Sequence, residues 1–238
     1  MPHHITPFEE ALDKLRKRVH EMGSAIIAQT ETCFRVFSSA ELVPIEELKK
    51  NEKRIDKFEL KVDKICQRIF ALQQPIANDL RFIMSALKLD NEMERIGDLA
   101  YEIAKRAESI REFPEFISQF EIDTFAEKVY KTVKSSVESL IFSDVEIAHE
   151  LLRNESVIRE EHRNIEDAII QEMTKKSEVI LVATNLILTL RHLERIAEHA
   201  FNIAESVIFQ VDGIVMKHLK KKKENHQEKT STDNETEA

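Results

Sequence analysis

An all-α protein of two tandem three-helix bundles is the fold class this sequence predicts, and three observations carry the prediction. Charged residues make up 33% of the 238 positions while aromatic residues reach only 6%, a balance that suits long amphipathic helices and leaves few strand-formers. Three Gly and five Pro offer little material for tight turns. Helically spaced apolar positions recur at a near-constant interval, so one half of the chain repeats the other.

The helix boundaries follow from capping chemistry. Thr6-Pro7-Phe8-Glu9 joins a capping box to Pro at the first helical position, which satisfies orphan amides and presets φ. That helix should run to about Phe37. Ser38-x-x-Glu41 and Pro44 mark the turn into a second helix ending near Leu72, and Pro75 opens a third running to about Arg111. Pro114 interrupts the chain because proline cannot continue a helix, and a fourth helix is expected from about Phe116 to Phe142. Ser143-x-x-Glu146 reads as another capping box and starts the fifth. The sixth runs from roughly Glu178 to Val211, with Gly213 as its stop signal. From Lys217 onward no apolar stripe remains, so a disordered tail is expected there.

Charge and leader sequences narrow the function classes. The formal net charge is −9; the segment from Lys217 holds six lysines against five acids, which leaves about −10 on the body. Such a surface disfavours phosphate-backbone contact and argues against nucleic acid as a main partner. Met1-Pro-His-His-Ile5 has no signal-peptide pattern, and apolar runs such as Val179 to Ala183 are too short to span a bilayer. Cys33 and Cys66 are spaced for neither a zinc site nor a redox pair and read as buried free thiols. A reducing cytoplasm is the expected compartment, and any membrane contact should be indirect, through partners.

At an offset of 100, Glu94, Arg95, Ile96, Ala100, Ile103 and Ala104 meet identical residues, and farther upstream the offset becomes 103, matching Asn51-Glu52 to Asn154-Glu155. The expected division is therefore a first repeat over 1–112, a second over 113–216 and a tail over 217–238.

The repeated helices carry acids. On the third, the stripe Ile76, Leu80, Ile83, Leu87 continues into Asp90, Glu94 and Asp98, while the apolar residues move to Met93, Ile96, Ala100 and Ile103. On the sixth, Ile180, Ala183, Ile187 and Leu190 lead into Glu194 and Glu198. Glu59-x-x-x-Asp63 on the second helix has the same spacing, and His162-x-x-x-Glu166 stands opposite it in the repeat. Carboxylates four residues apart repel by roughly 0.2–0.5 kcal/mol per exposed pair, and a cation between them removes that cost while gaining hard oxygen ligands. The competing reading is a solvated face neutralised by Arg95 or Arg195. Repetition of the pattern favours a duplicated metal site; spacing names no metal.

Other features specify less. Glu146-x-x-His149 is a lone di-iron-like pair, where such sites need two. No glycine-rich phosphate loop, Gly-x-Ser-x-Gly or HExxH is present, so an enzyme is not expected. Asn78, Asp79 and Arg81 suit capping and ion pairing or an interaction surface, Lys220 to Lys223 a solubilising end or a contact with anionic lipid or an acidic partner, and Tyr101 and Phe201 packing between helices.

The stretch Ala71-Leu-Gln-Gln-Pro-Ile-Ala-Asn-Asp-Leu-Arg81, with Ala86-Leu-Lys-Leu89 and Met93-Glu-Arg-Ile-Gly-Asp98, closely resembles the PhoU family. The second half agrees through Leu193-Glu-Arg-Ile-Ala-Glu-His-Ala200 and Asn202-Ile-Ala-Glu205. The resemblance implies a negative regulator of phosphate uptake and the phosphate regulon. It would act between the ATPase-driven phosphate ABC transporter and a sensor histidine kinase, as a homodimer. It also implies metal ions, iron or zinc first and manganese or magnesium next, on the E(D)xxxD motifs. By position the ligands would be Glu94 and Asp98 with Asp90, Glu59 and Asp63, and in the second repeat Glu194 and Glu198 with Glu166 and His162. The second motif departs from the pattern by ending in Glu198, and His162 replaces an acid. From the residues alone, a carboxylate-rich metal-storage protein or metalloenzyme is the alternative, and a purely structural helical module the third reading.

Overall fold

The computed structural model describes residues 6–38 and 45–216, and every regular element in them is helical. The first repeat comprises α1 (Pro7–Ser38), α2 (Ile45–Leu72) and α3 (Ala77–Arg111). The second comprises α4 (Pro114–Ile117), α5 (Ile122–Phe142), α6 (Val145–Arg153), α7 (Glu155–Lys175), a 3-10 turn (Ser177–Val179) and α8 (Ile180–Asp212). The turn expected around Ser38-x-x-Glu41 and Pro44 lies largely outside the described residues, as does the tail from Lys217.

Capping chemistry sets several ends as expected. Thr6 Oγ1 accepts from the Glu9 amide at 3.2 Å while Glu9 Oε2 accepts from the Thr6 amide at 2.7 Å, a reciprocal box. Gly213 closes α8 with φ 74, the left-handed geometry that costs glycine least.

Four boundaries differ from the sequence expectation. Pro75 lies in the turn rather than in α3, which follows an extended Ile76 and starts at Ala77 with φ 45. The expected fourth helix splits because Glu121 takes φ 50, allowing α4 to fold back and bury Phe116 edge-on against Phe120 at 5.0 Å. Asp144, not Ser143, caps α6: its Oδ1 accepts from the amides of Glu146 and Ile147 at 2.9 and 3.1 Å, while Ser143 ends α5 in a left-handed conformation. The expected fifth helix breaks at Asn154, whose side-chain amide donates to the Glu150 carbonyl at 3.2 Å. Its repeat counterpart Asn51 stays inside α2 because it donates across to the Ala25 carbonyl on α1 at 2.9 Å.

The two repeats share one continuous apolar core. The most extensive helix pairing is α3 with α8, running antiparallel. Arg81 Nε donates to the Gln210 carbonyl at 3.4 Å at one end. Toward the middle, His199 Nδ1 lies 2.7 Å from Glu92 Oε2, which also accepts from Asn202 Nδ2 at 3.0 Å. Phe201 is buried and Tyr101 packs at the core edge under Lys105, as their equivalent positions suggest. Cys33 and Cys66 are free and buried, and burial pushes the Cys66 thiol up to about 12. Among the described residues no helix is long and apolar enough to cross a membrane.

Candidate functional site

Two seams follow from the duplication: α2 against α3 in the first repeat and α7 against α8 in the second. On α3 the apolar face turns inward at Met93, Ile96, Ala100 and Ile103, all fully buried. This rotation leaves Asp90, Glu94 and Asp98 along the edge facing α2. Gly97 lets the helices approach closely, since a Cβ there would lie 2.8 Å from Ile55 Cδ1.

The α2–α3 seam is a zone of mutual carboxylate repulsion. Asp90 is fully buried; its Oδ1 accepts from the Asn91 amide at 2.8 Å, and its Oδ2 has no hydrogen-bond partner. Burial, together with Asp63 and Glu59, pushes its carboxyl up to about 7 against the Asn91 hydrogen bonds. Burial and neighbouring Asp98 and Glu59 raise Glu94 to about 7 as well, with Arg95 opposing. Glu59 is raised by burial, Asp63, Asp56 and Asp98. The positive charge on α3 here is Arg95, 58% exposed, 3.4 Å from Glu94 Oε2 and 3.5 Å from Asp98 Oδ2.

The sequence-predicted residues Glu59, Asp63, Asp90, Glu94 and Asp98 thus belong to one electrostatic group. Two members were missed. Glu52 is raised by burial, Asp56 and Asp98, which adds Glu52 and Asp56 to the seam. The signal was present, because 52, 56, 59 and 63 keep the three-and-four spacing of one helical stripe.

The α7–α8 seam has the same backbone and different chemistry. His162 is buried, with Nε2 3.4 Å from Glu194 Oε2 in ion-pair range and its ring 6.4 Å from that of Phe125. Neither His162 ring nitrogen makes a hydrogen bond. Glu166 accepts from Arg191 through Nε at 3.0 Å and Nη2 at 2.8 Å. Arg159 Nη2 lies 3.0 Å from Glu155 Oε1 and 4.0 Å from Glu198 Oε1. Glu198 is exposed, as its longer arm implies.

As they stand, no three His, Cys, Asp or Glu side chains among the described residues converge to enclose one ion. The donor sets nevertheless differ in their fit to a metal. The first seam presents only oxygen ligands: the half-buried Glu59, Asp63, Glu94 and Asp98, and the fully buried Asp90 with its unpartnered carboxylate oxygen. It fits a hard or borderline cation. In the second, Glu166 and Glu198 already face guanidinium groups.

Fold and seams together define a class: a duplicated helical-bundle protein with a carboxylate-lined seam on the surface of each repeat. The PhoU domain model matches the chain twice, over residues 19–107 and 122–207. The chain belongs to the PhoU family.

Among relatives, the phosphate-specific transport system accessory protein PhoU homolog of Pseudomonas aeruginosa is 29% identical over 221 residues, covering 92% of this chain and 91% of that protein. The Pseudomonas putida homolog of the same description is also 29% identical, over 92% of this chain and 86% of its own. The crystal structure of PhoU from Pseudomonas aeruginosa superposes with a TM-score of 0.80 at 28% identity, covering 87% of this chain and 100% of that one. The phosphate transport system regulatory protein PhoU from Streptococcus pneumoniae shares the fold at a TM-score of 0.72 and 19% identity, covering 87% and 98%.

Proposed function

We propose that this chain is a cytoplasmic accessory regulator of phosphate transport, without catalytic chemistry of its own, which holds a metal ion in its α2–α3 seam and docks on the transport machinery. The regulatory role is supported by the chain's membership in the PhoU family and by relatives described as accessory proteins of phosphate-specific transport systems. The finer reading is a homodimeric adaptor that contacts the ATPase subunit of the phosphate ABC transporter and a sensor histidine kinase, holding signalling off when phosphate is plentiful.

The metal reading rests on Asp90. A buried carboxylate oxygen without a partner is costly, and it lies within a group of acids whose charges raise one another's pKa. A cation would supply the missing partner and relieve the repulsion. Glu94, Asp98, Glu59, Asp63 and Asp90 would hold it; an all-carboxylate set suits manganese or magnesium by hardness, and the family resemblance adds iron and zinc. Metal would thereby pin α2 to α3 and give the first repeat a ligand-dependent rigidity that a partner can read.

Metal analysis of purified wild type against Glu94→Ala/Asp98→Ala tests the seam: loss of bound iron, zinc or manganese is expected, and equal content in both removes the assignment. Deletion of the gene in its own host under phosphate-replete conditions tests the role, with derepressed starvation genes or excess phosphate uptake expected. An unchanged response would exclude it. Oxygen or peroxide turnover by the metal-loaded protein would favour the metalloenzyme instead.

A further inference from the structure

We infer that the second repeat is closed to metal, because two arginines of this chain already occupy the charge role that a cation takes in the first. The inference rests on the reading of the α2–α3 seam as the metal-binding one. It names the chain as an asymmetric member of its family, loaded through one repeat and stapled through the other.

Four positions carry it, each compared across the repeat offset. Asp90 corresponds to Leu190, fully buried in the core, so the second seam lacks the unpartnered buried oxygen. Asn91 corresponds to Arg191, whose guanidinium crosses from α8 to Glu166 on α7 with two contacts at 3.0 and 2.8 Å. Asp56 corresponds to Arg159, which reverses the charge at that point and sets a guanidinium between Glu155 on α7 and Glu198 on α8. Glu59 corresponds to His162, buried against Phe125 with Nε2 toward Glu194.

Charge decides the outcome. The first seam sets seven acids (Glu52, Asp56, Glu59, Asp63, Asp90, Glu94, Asp98) against Arg95, which pairs within its own helix, and against Lys53 and Lys105, which act on Glu52. The second retains Glu155, Glu166, Glu194 and Glu198 against Arg159, Arg191 and Arg195. Two guanidinium–carboxylate contacts cross from α7 to α8, Arg191–Glu166 and Arg159–Glu198, the latter at 4.0 Å, while His162 Nε2 lies 3.4 Å from Glu194 Oε2 without a hydrogen bond. The ion pairs of the first seam stay within α3. A metal entering the second seam would have to displace the Arg191 guanidinium, whose Nε and Nη2 both reach Glu166 Oε1. It would then sit beside the positive charges of Arg159 and Arg191. The seam has a built-in substitute for the ion and stays joined whether or not metal is present.

Zinc uptake by the full-length, metal-free protein tests this, read as bound zinc per chain and as the shift of the thermal midpoint on chelation. Wild type should lose its zinc with Glu94→Ala/Asp98→Ala and keep all of it with Glu194→Ala/Glu198→Ala. Arg159→Asp/Arg191→Asn, which leaves the buried core untouched, should gain additional uptake over wild type. Loss of zinc on Glu194→Ala/Glu198→Ala overturns the inference while leaving the first-seam reading intact. Uptake indifferent to Glu94→Ala/Asp98→Ala overturns that reading instead, and the arginine double variant then decides the inference alone. No gain in that variant overturns the view that the arginines close the seam.

Discussion

The α2–α3 and α7–α8 seams share a backbone plan, yet one accumulates repulsion and the other cancels it. In the first, acids raise one another's pKa and a buried carboxylate oxygen lacks a partner. In the second, guanidinium groups and an imidazole face the glutamates across the helices. Gene duplication preserves helix packing because the apolar face is nearly the same in both copies. The polar edge is free to diverge, since surface ion pairs contribute little to folding. A duplicated fold therefore need not carry a duplicated site.

The difference predicts opposite responses to truncation, and the largest effect should come from the second seam. His162→Ala empties a packed position beside Phe125 and should cost about 2–4 kcal/mol. Glu59→Ala, its counterpart, removes a repelling charge and should leave the metal-free protein as stable or a few tenths of a kcal/mol more stable. Chemical denaturation of both variants in chelator measures the contrast, and equal destabilisation would break it.

Close approach should give the next effect. Gly97 in α3 corresponds to Ala197 in α8. Gly97→Ala drives a methyl to within 2.8 Å of buried Ile55 Cδ1 and should lose about 1–2 kcal/mol despite better helix propensity. Ala197→Gly should lose at least about 1 kcal/mol, from helix propensity and from the buried methyl it removes. Melting curves separate the two, because only the former should also alter metal uptake.

A pH dependence comes third. In the metal-free folded chain Asp90 and Glu94 keep their protons up to about 7, against ordinary carboxylate values near 4 when unfolded. The folded state binds more protons across that interval, so stability is greatest below it and falls as pH rises toward 7. Asp90→Asn/Glu94→Gln should flatten the slope. Thermal midpoints in chelator at pH 5 and pH 8 provide the check.

The smallest effect concerns Arg191, 61% exposed in its pair with Glu166. Arg191→Ala should cost about 0.2–1 kcal/mol, less at high salt.

Much of the fold was legible because its causes are local. Helix periodicity, the Thr6–Glu9 box and the Gly213 stop each lie within a few residues of the boundary they set. The splits at Glu121 and Asn154 were not legible. Both depend on tertiary neighbours: the core that receives Phe116 and Phe120, and the α1 carbonyl that Asn51 reaches while Asn154 turns back to Glu150. Within the site, the acid spacing was readable, and Glu52 and Asp56 were missed although they continue it. The closing of the second seam by Arg159 and Arg191 required the distances between helices.

By itself the sequence determined the helical class, the internal repeat, the family and the placing of carboxylates on one edge of each third helix. These depend on spacing along a single chain segment. Only the tertiary structure decided which carboxylates lie together, that Asp90 is buried without a partner on one oxygen, and that the second repeat answers its acids with arginines. Electrostatic energy depends on distance and burial, and neither is a property of a segment until the helices have packed.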